Sequence, residues 1–157
     1  MGYDEMKINI IAIGKIKEKY FSDAINEYVK RCSRFAEVKI IELPDAPPSN
    51  SPDEQRKIES EQLLSKAKGF VIATDMRGKQ LSSEGLADLI KSKCLDGESE
   101  FSFLIGGSHG HTDDLRKKAD LLLSFSLGTF PHQLFRVMLC EQVYRALSIN
   151  AGTPYHK

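Results

Sequence analysis

The 157-residue chain carries 22 Lys/Arg against 22 Asp/Glu, with 41% hydrophobic and 28% charged residues. That balance marks a soluble globular chain able to bury a core without staples, and argues against a disordered or disulfide-framed one. The longest apolar runs, such as residues 10–13, are far too short to cross a bilayer, so no membrane association is expected.

Residues 1–5 precede a second methionine, Met6, and patterned sequence begins at Lys7. The first five are therefore expected to lie outside the fold, with 6–157 forming one domain. Residues 7–13 are Ile-rich and predict a buried strand closed by Gly14. Residues 20–35 space Phe21, Ala24, Ile25, Tyr28, Val29 and Cys32 as a helix does. A second strand follows at 38–43, then a loop at 44–52 holding four of the six prolines. Ser51, Pro52 and Glu54 open the next helix with a cap, a first-turn proline and a capping-box acid, and Gly69 ends it.

Residues 70–74 predict a third strand, 76–79 a turn, and Ser82/Ser83 the cap of a helix reaching Leu95. Residues 101–105 read as a fourth strand leading into a glycine loop at 106–110. Thr112 caps a short helix, 121–126 form a fifth strand, and 127–130 a loop. The last helix starts with Pro131 in its first turn and runs to about Asn150. Alternating strands and helices define an α/β fold, with a mostly parallel sheet covered by helices on both faces.

The last helix is apolar nearly all round: Leu134, Phe135, Val137, Met138, Leu139, Cys140, Val143, Tyr144, Ala146 and Leu147 fill its first turns. A helix packed on one face shows one apolar stripe. This one needs cover on two sides, from a central place in the core or from a homodimer interface.

Cys32, Cys94 and Cys140 are widely spaced and lack zinc or redox spacing, so they read as thiols of a reducing, cytoplasmic compartment. Zero net charge gives no basic footprint for nucleic acid. The cations are nonetheless uneven: Lys15, Lys17, Lys19, Lys30, Arg31 and Arg34 lie early, Arg136, Arg145 and Lys157 late. They read either as a basic face or as ordinary solvated charge.

Ligands of open α/β sheets sit beyond the carboxyl ends of the strands. Three such ends carry suitable loops: Thr74–Asp75 with Gly78, Gly106–Gly110, and 127–132. His109 and His111 lack the further ligands of a metal site, and no metal is expected. Glu141 and Arg145 stand four apart on an otherwise apolar helix, so that charge must be paired or used. At the chain end, Tyr155 offers a stacking ring, His156 a proton acceptor and Lys157 a phosphate partner, beside the default reading of a frayed tail.

Several segments resemble one family. They are Phe103-Leu104-Ile105-Gly106-Gly107 with Gly110; residues 123–133, which read LSFSLGTFPHQ; Arg136-Val137; Glu141-Gln142-Val143-Tyr144-Arg145-Ala146; and Pro154-Tyr155-His156-Lys157. Together they are similar to the bacterial ribosomal RNA large-subunit methyltransferase H family of the SPOUT superfamily, with likeness running from Lys7 to the last residue. The resemblance implies a C-terminal trefoil knot, a homodimer, and S-adenosylmethionine as cofactor. It also implies N3-methylation of a pseudouridine in 23S rRNA of the assembled ribosome.

By matching positions it assigns the cofactor to Thr74, Gly106, Phe125, Ser126, Leu127, Gly128, Thr129 and Phe130. Thr74 stands where many relatives have leucine. His156, Tyr155 and Lys157 become catalytic candidates; Arg136, Arg145 and Lys157 become candidates for contact with RNA. Nitrogen methylation suits the residues, because methylation at a base carbon asks for a cysteine nucleophile and no cysteine lies at a strand end. Two rival functions are a methyltransferase of the same fold with another RNA target, such as a tRNA 2′-hydroxyl, and a non-catalytic dimeric ribosome-binding factor.

Overall fold

A computed structural model describes residues 6–157; the expectation for residues 1–5 falls outside them. Five parallel strands are hydrogen-bonded in the order β2-β1-β4-β3-β5. They are β1 (Lys7–Ile13), β2 (Glu37–Leu43), β3 (Phe70–Gln80), β4 (Glu100–Ile105) and β5 (Leu121–Ser124). β1 and β4 lie inside the sheet and are apolar on both faces, as a doubly covered parallel sheet requires. β2, on one edge, alternates instead and exposes Glu37 and Lys39 to water.

The five helices are α1 (Lys19–Cys32), α2 (Pro52–Lys66), α3 (Ser83–Leu95), α4 (Asp113–Lys118) and α5 (His132–Ala151). The steps β1→β2 and β3→β4 run one way along the sheet, and β2→β3 and β4→β5 the other. Right-handed crossovers then put α1 and α3 on one face, α2 and α4 on the opposite one. The core divides accordingly. Ile8, Ile10, Ala12, Phe101, Phe103 and Ile105 pack with α1, α3 and α5. Ile11, Ile13 and Leu104, one residue out of phase, pack with Leu63 and Leu115 beneath.

The helix starts follow the sequence closely. Ser51, Ser82 and Thr112 each accept a hydrogen bond from the backbone N–H three residues on, at 3.2, 3.0 and 3.1 Å. α5 ends at Gly152, whose φ of +74° admits the left-handed closing turn.

Two strand boundaries differ from expectation. The segment 76–79 is not a turn between elements, because β3 continues through it. Thr74 and Lys79 both face Leu123 of β5, so residues 75–78 are looped out of a strand that then resumes. Gly78 permits this: a Cβ there would lie 2.6 Å from the backbone carbon of Leu122. β5 stops at Ser124, two residues early, because the Ser124 hydroxyl donates to the carbonyl of Ser126 at 2.9 Å and turns the chain.

α5 leaves the β5 edge yet reaches back over the sheet to β1 and β2. The Arg136 guanidinium, 3% exposed, donates to Glu42 at 2.6 Å and to the Gly14 carbonyl at 3.0 Å. Arg136, expected from the resemblance as an RNA contact, has its head buried between α5 and the sheet edge. Removing one partner of a buried pair strands the other, at about 3–5 kcal/mol. Glu42 is partly exposed, so Arg136→Ala is expected to cost about 3 kcal/mol, read as a lower urea midpoint with an unchanged m-value.

Candidate active site

Because all strands are parallel, every loop after a strand opens on the same edge. β4, β3 and β5 are adjacent, so their loops converge. They enclose a cavity of about 390 Å³, lined among others by Thr74, Gly106, Phe125, Ser126, Gly128, Thr129 and Phe130. That volume lies within the usual range for small-ligand sites. Of the eight residues assigned to a cofactor, Leu127 alone is missing from the wall. Its side chain is 77% exposed, leaving only its backbone to contribute.

Each wall is held from behind. The looped-out segment of β3 brings Asp75, Met76 and Arg77 into the cavity. Asp75 is fixed by Arg116 of α4 at 2.7 Å and by the Arg77 backbone N–H at 2.8 Å. Burial acts to raise the Asp75 pKa, but these two donors outweigh it and hold the carboxyl below its ordinary value. The Thr74 hydroxyl donates to the Leu104 carbonyl at 3.0 Å, tying β3 to β4. Its polar end is therefore engaged within the sheet.

The glycine loop rests on α2. Arg56 Nε donates to the His109 carbonyl at 2.9 Å, and Ser60 accepts from the Thr112 N–H at 3.0 Å. Glu59 is buried beneath Gly107, where a Cβ would meet its Oε1 at 2.5 Å. In the third loop, Ser126 accepts from the Gly128 N–H at 2.9 Å, a local turn closed by its own side chain. Phe125 and Phe130 both pack on Phe135 of α5, with centroids 5.0 and 6.1 Å apart.

Sequence reasoning missed the buried hub of this site. His111 is 2% exposed, and its Nε2 lies 3.0 Å from the Thr74 carbonyl. A carbonyl only accepts, so Nε2 carries the proton. Nδ1 is buried without a hydrogen-bond partner, 3.2 Å from where a Cβ on Gly106 would stand. His111 thus spaces the β3 and β4 loops and packs tightly against Gly106, where a Cβ would stand 3.1 Å from its ring. The sequence holds only the His109/His111 pair; the inward turn of one imidazole depends on tertiary packing.

The tail lies elsewhere. Tyr155, His156 and Lys157 do not line the cavity. Tyr155 packs edge-on against Tyr144 at 4.7 Å, under the Arg145 guanidinium at 4.8 Å. Arg145 grips Glu141 at 2.8 and 3.3 Å and donates to His156 Nδ1 at 3.0 Å. His156 Nε2 stands 2.5 Å from Glu84 of α3 and donates to it, since an arginine cannot accept and Nδ1 must. The hydrogen bond to Glu141 strengthens the charge on Arg145 and raises its pKa. The end of the chain is docked, and Arg145, a candidate for RNA, donates within this cluster from each of its three guanidinium nitrogens. Lys157 remains exposed.

The cysteines stay outside the cavity. Burial pushes the Cys32 and Cys140 thiols up to about 12, far from the thiolate that a nucleophile needs. Among the described residues no helix is long and apolar enough to cross a membrane, and no cluster of three or more His, Cys, Asp or Glu is placed to hold a metal.

A parallel sheet with helices on both faces and a glycine-lined hollow at its carboxyl edge defines an α/β ligand-binding protein. Residues 6–156 match the family described as "Predicted SPOUT methyltransferase". Proteins named ribosomal RNA large subunit methyltransferase H from Lactobacillus johnsonii and Lactobacillus acidophilus are 48% and 51% identical over 159 aligned positions, covering 97% of this chain and all of theirs. One from Carboxydothermus hydrogenoformans is 48% identical with the same coverage. A probable methylase family protein from Haemophilus influenzae superposes with a TM-score of 0.52 at 9% identity, over 99% of this chain and 71% of its own, a likeness of fold alone. The chain belongs to the SPOUT methyltransferase family, in the group of the large-subunit methyltransferase H proteins.

Burial lowers the His111 pKa below its ordinary 6.5, against an opposing pull from Asp75. A depressed imidazole contributes stability that is full above the unfolded pKa and declines as pH falls below it toward the folded value. His111→Gln should therefore narrow the loss of stability on acidification from pH 7 to 5, compared with the parent protein in urea titrations. An identical pH slope in both would remove His111 as the titrating hub.

Proposed function

We propose that this cytoplasmic protein transfers a methyl group from S-adenosylmethionine to N3 of a pseudouridine in 23S rRNA of the assembled ribosome. The names of its relatives and the family membership support rRNA methylation. The observation that carries the cofactor assignment is the convergence of Thr74, Gly106 and the 125–130 loop on one hollow. The fit follows from the walls: Gly106 lies bare on the cavity wall with His111 packed tightly against it, and Phe125, Phe130 and Phe135 give an apolar side. When bound, S-adenosylmethionine supplies an electrophilic methyl on a sulfonium centre. The backbone of Gly106 and of 125–130 would hold it, and Thr74 adds a wall.

The chain's own residues have two tasks. One is positioning, since the attacking nitrogen and the methyl must be held in line. The other is proton removal, because pseudouridine N3 carries a hydrogen and is a poor nucleophile at neutral pH. His156 is the candidate base, Tyr155 the group that positions the nucleobase, and Lys157 the phosphate contact. Neither task calls for a thiolate.

In one protomer the tail packs on α3 and α5, away from the cofactor hollow. A homodimer resolves this separation by setting the tail of one protomer against the hollow of its partner. A second hollow of about 530 Å³, bordered by Leu81, Phe130, Val137, Met138, Glu141 and Gln142, runs along the uncovered side of α5 and supports an interface there. The return of α5 over the sheet also fits the implied trefoil knot.

Purified ribosomes and isolated RNA, incubated with labelled cofactor and mapped for the modified base, test the assignment; label at a pseudouridine N3 in ribosomes is expected. His156→Ala should reduce kcat by about 10²–10⁴-fold, the usual contribution of a general base, with calorimetric cofactor affinity retained. In mixed dimers of a tail-deleted chain and a Gly106→Trp chain, partial activity should return, because one intact composite site re-forms. No recovery means that the sites are not shared.

A further inference from the structure

The functional assignment leaves one built feature unused: the segment joining β1 to α1. β1 lies beside β4, with Ala12 opposite Ile105, so the segment begins next to the glycine loop on the edge that carries the cavity. The glycine loop meets the end of β1, since a Cβ on Gly107 would lie 3.3 Å from Ile13 Cγ2. Residues 15–20 read Lys-Ile-Lys-Glu-Lys-Tyr. Lys15, Lys17 and Lys19 are exposed while Ile16 packs against the core. Tyr20 is 66% exposed. Among the described residues Lys15 and Lys17 form no ion pair, and Lys19 pairs only with solvent-exposed Asp23.

The backbone beneath these side chains is clamped. Gly14 N–H donates to the Leu43 carbonyl at 2.7 Å. Ile16 N–H donates to Glu42 at 2.9 Å, and Lys17 N–H to Gln133 at 3.2 Å. Arg136 joins Glu42 to the Gly14 carbonyl. Gln133 adjoins His132, which lines the cavity, so the lysine ladder is pinned one residue from the pocket wall. An ordinary solvated loop has no need of three side-chain clamps. A surface that must present cations and a ring at fixed spacing does.

We propose that residues 15–20 form the RNA-docking rim of the site, with Lys15 and Lys17 meeting backbone phosphates and Tyr20 stacking on an unpaired base beside the target nucleotide. The inference rests on the rRNA methyltransferase reading and places its substrate on the protein. RNA is favoured because single-stranded recognition pairs a cationic track with an aromatic platform, and this segment offers three lysines against one glutamate in a chain with no net charge. The exposed position of all three side chains lets them be changed without disturbing the core.

The test compares the parent protein, the double variant Lys15→Glu/Lys17→Glu, Tyr20→Ala, and a control with the same charge change at the opposite edge, Lys66→Glu/Lys68→Glu. Ribosome binding is measured across salt concentrations, together with methylation kinetics and cofactor calorimetry. The double variant should weaken ribosome binding at least about tenfold near 0.1 M salt. It should also flatten the log–log salt slope by about 1.4–1.8, because two phosphates then keep their condensed counterions on binding. Tyr20→Ala should weaken binding about fivefold or more with the slope kept. Cofactor affinity should not move, and the control should bind as the parent does. Unchanged ribosome affinity in both rim variants overturns the rim. Weakened binding with an unaltered slope in the double variant also overturns it, pointing to a protein surface of the ribosome. A parent protein that methylates no ribosomal RNA overturns the functional reading itself, a separate result.

Discussion

A buried guanidinium from the last helix holds the first strand. The chain enters α5 from β5, at the far edge of the sheet from β2, yet the head of Arg136 lies on Gly14 and Glu42. An uncompensated charge in that position costs several kcal/mol, so the contact fixes where α5 crosses. That crossing sets Phe135 behind the aromatic loop and His132 on the cavity wall. It also pins the turn after β1 through Glu42 and Gln133. The cofactor hollow, the basic rim and the path of the final helix therefore share one anchor.

The site is built by division of labour between backbone and buried side chains. Ligand-facing positions are mostly glycines, serines and aromatic rings on loops, which by themselves have little to keep them in place. Their rigidity comes from below. α2 supplies Arg56, Glu59 and Ser60; α4 supplies Arg116; His111 sits between β3 and β4. The chemistry proposed for the tail has the same character. Glu84, Arg145 and Glu141 give His156 a defined tautomer, and its acceptor nitrogen is occupied by Arg145 until the arrangement changes.

Most of the sheet is legible in the sequence because the inner strands are apolar runs of the right length, and the caps at Ser51, Ser82 and Thr112 mark helix starts by local chemistry. The third strand reads too short because Met76-Arg77-Gly78-Lys79 have the composition of a turn; only pairing with β5 shows that residues 75–78 loop out and the strand resumes at Lys79. The three loops can be named from strand ends alone, and the resemblance supplies the residues within them. Arg136 escapes for a different reason. A charge at the start of a helix reads as solvent-facing, and its partner Glu42 lies 94 residues away in the chain. His111 escapes likewise, since nothing local distinguishes a buried imidazole from its neighbour at 109. The all-round apolar character of α5 does signal a demand for cover on more than one side: α1 and α3 provide part of it, and residues such as Leu134 and Met138 remain partly open.

The interruption in β3 separates two properties that are usually bound together. Thr74 and Lys79 share one partner, so the exposed Met76 and Arg77 between them can be exchanged without shifting a rung of the ladder on either side, while Gly78 is held by its close approach to Leu122 and Asp75 by Arg116. The hollow can thus be re-tailored by mutation while the scaffold keeps its alignment. Selectivity for what enters is free to drift in this protein at a cost confined to one detour of the chain.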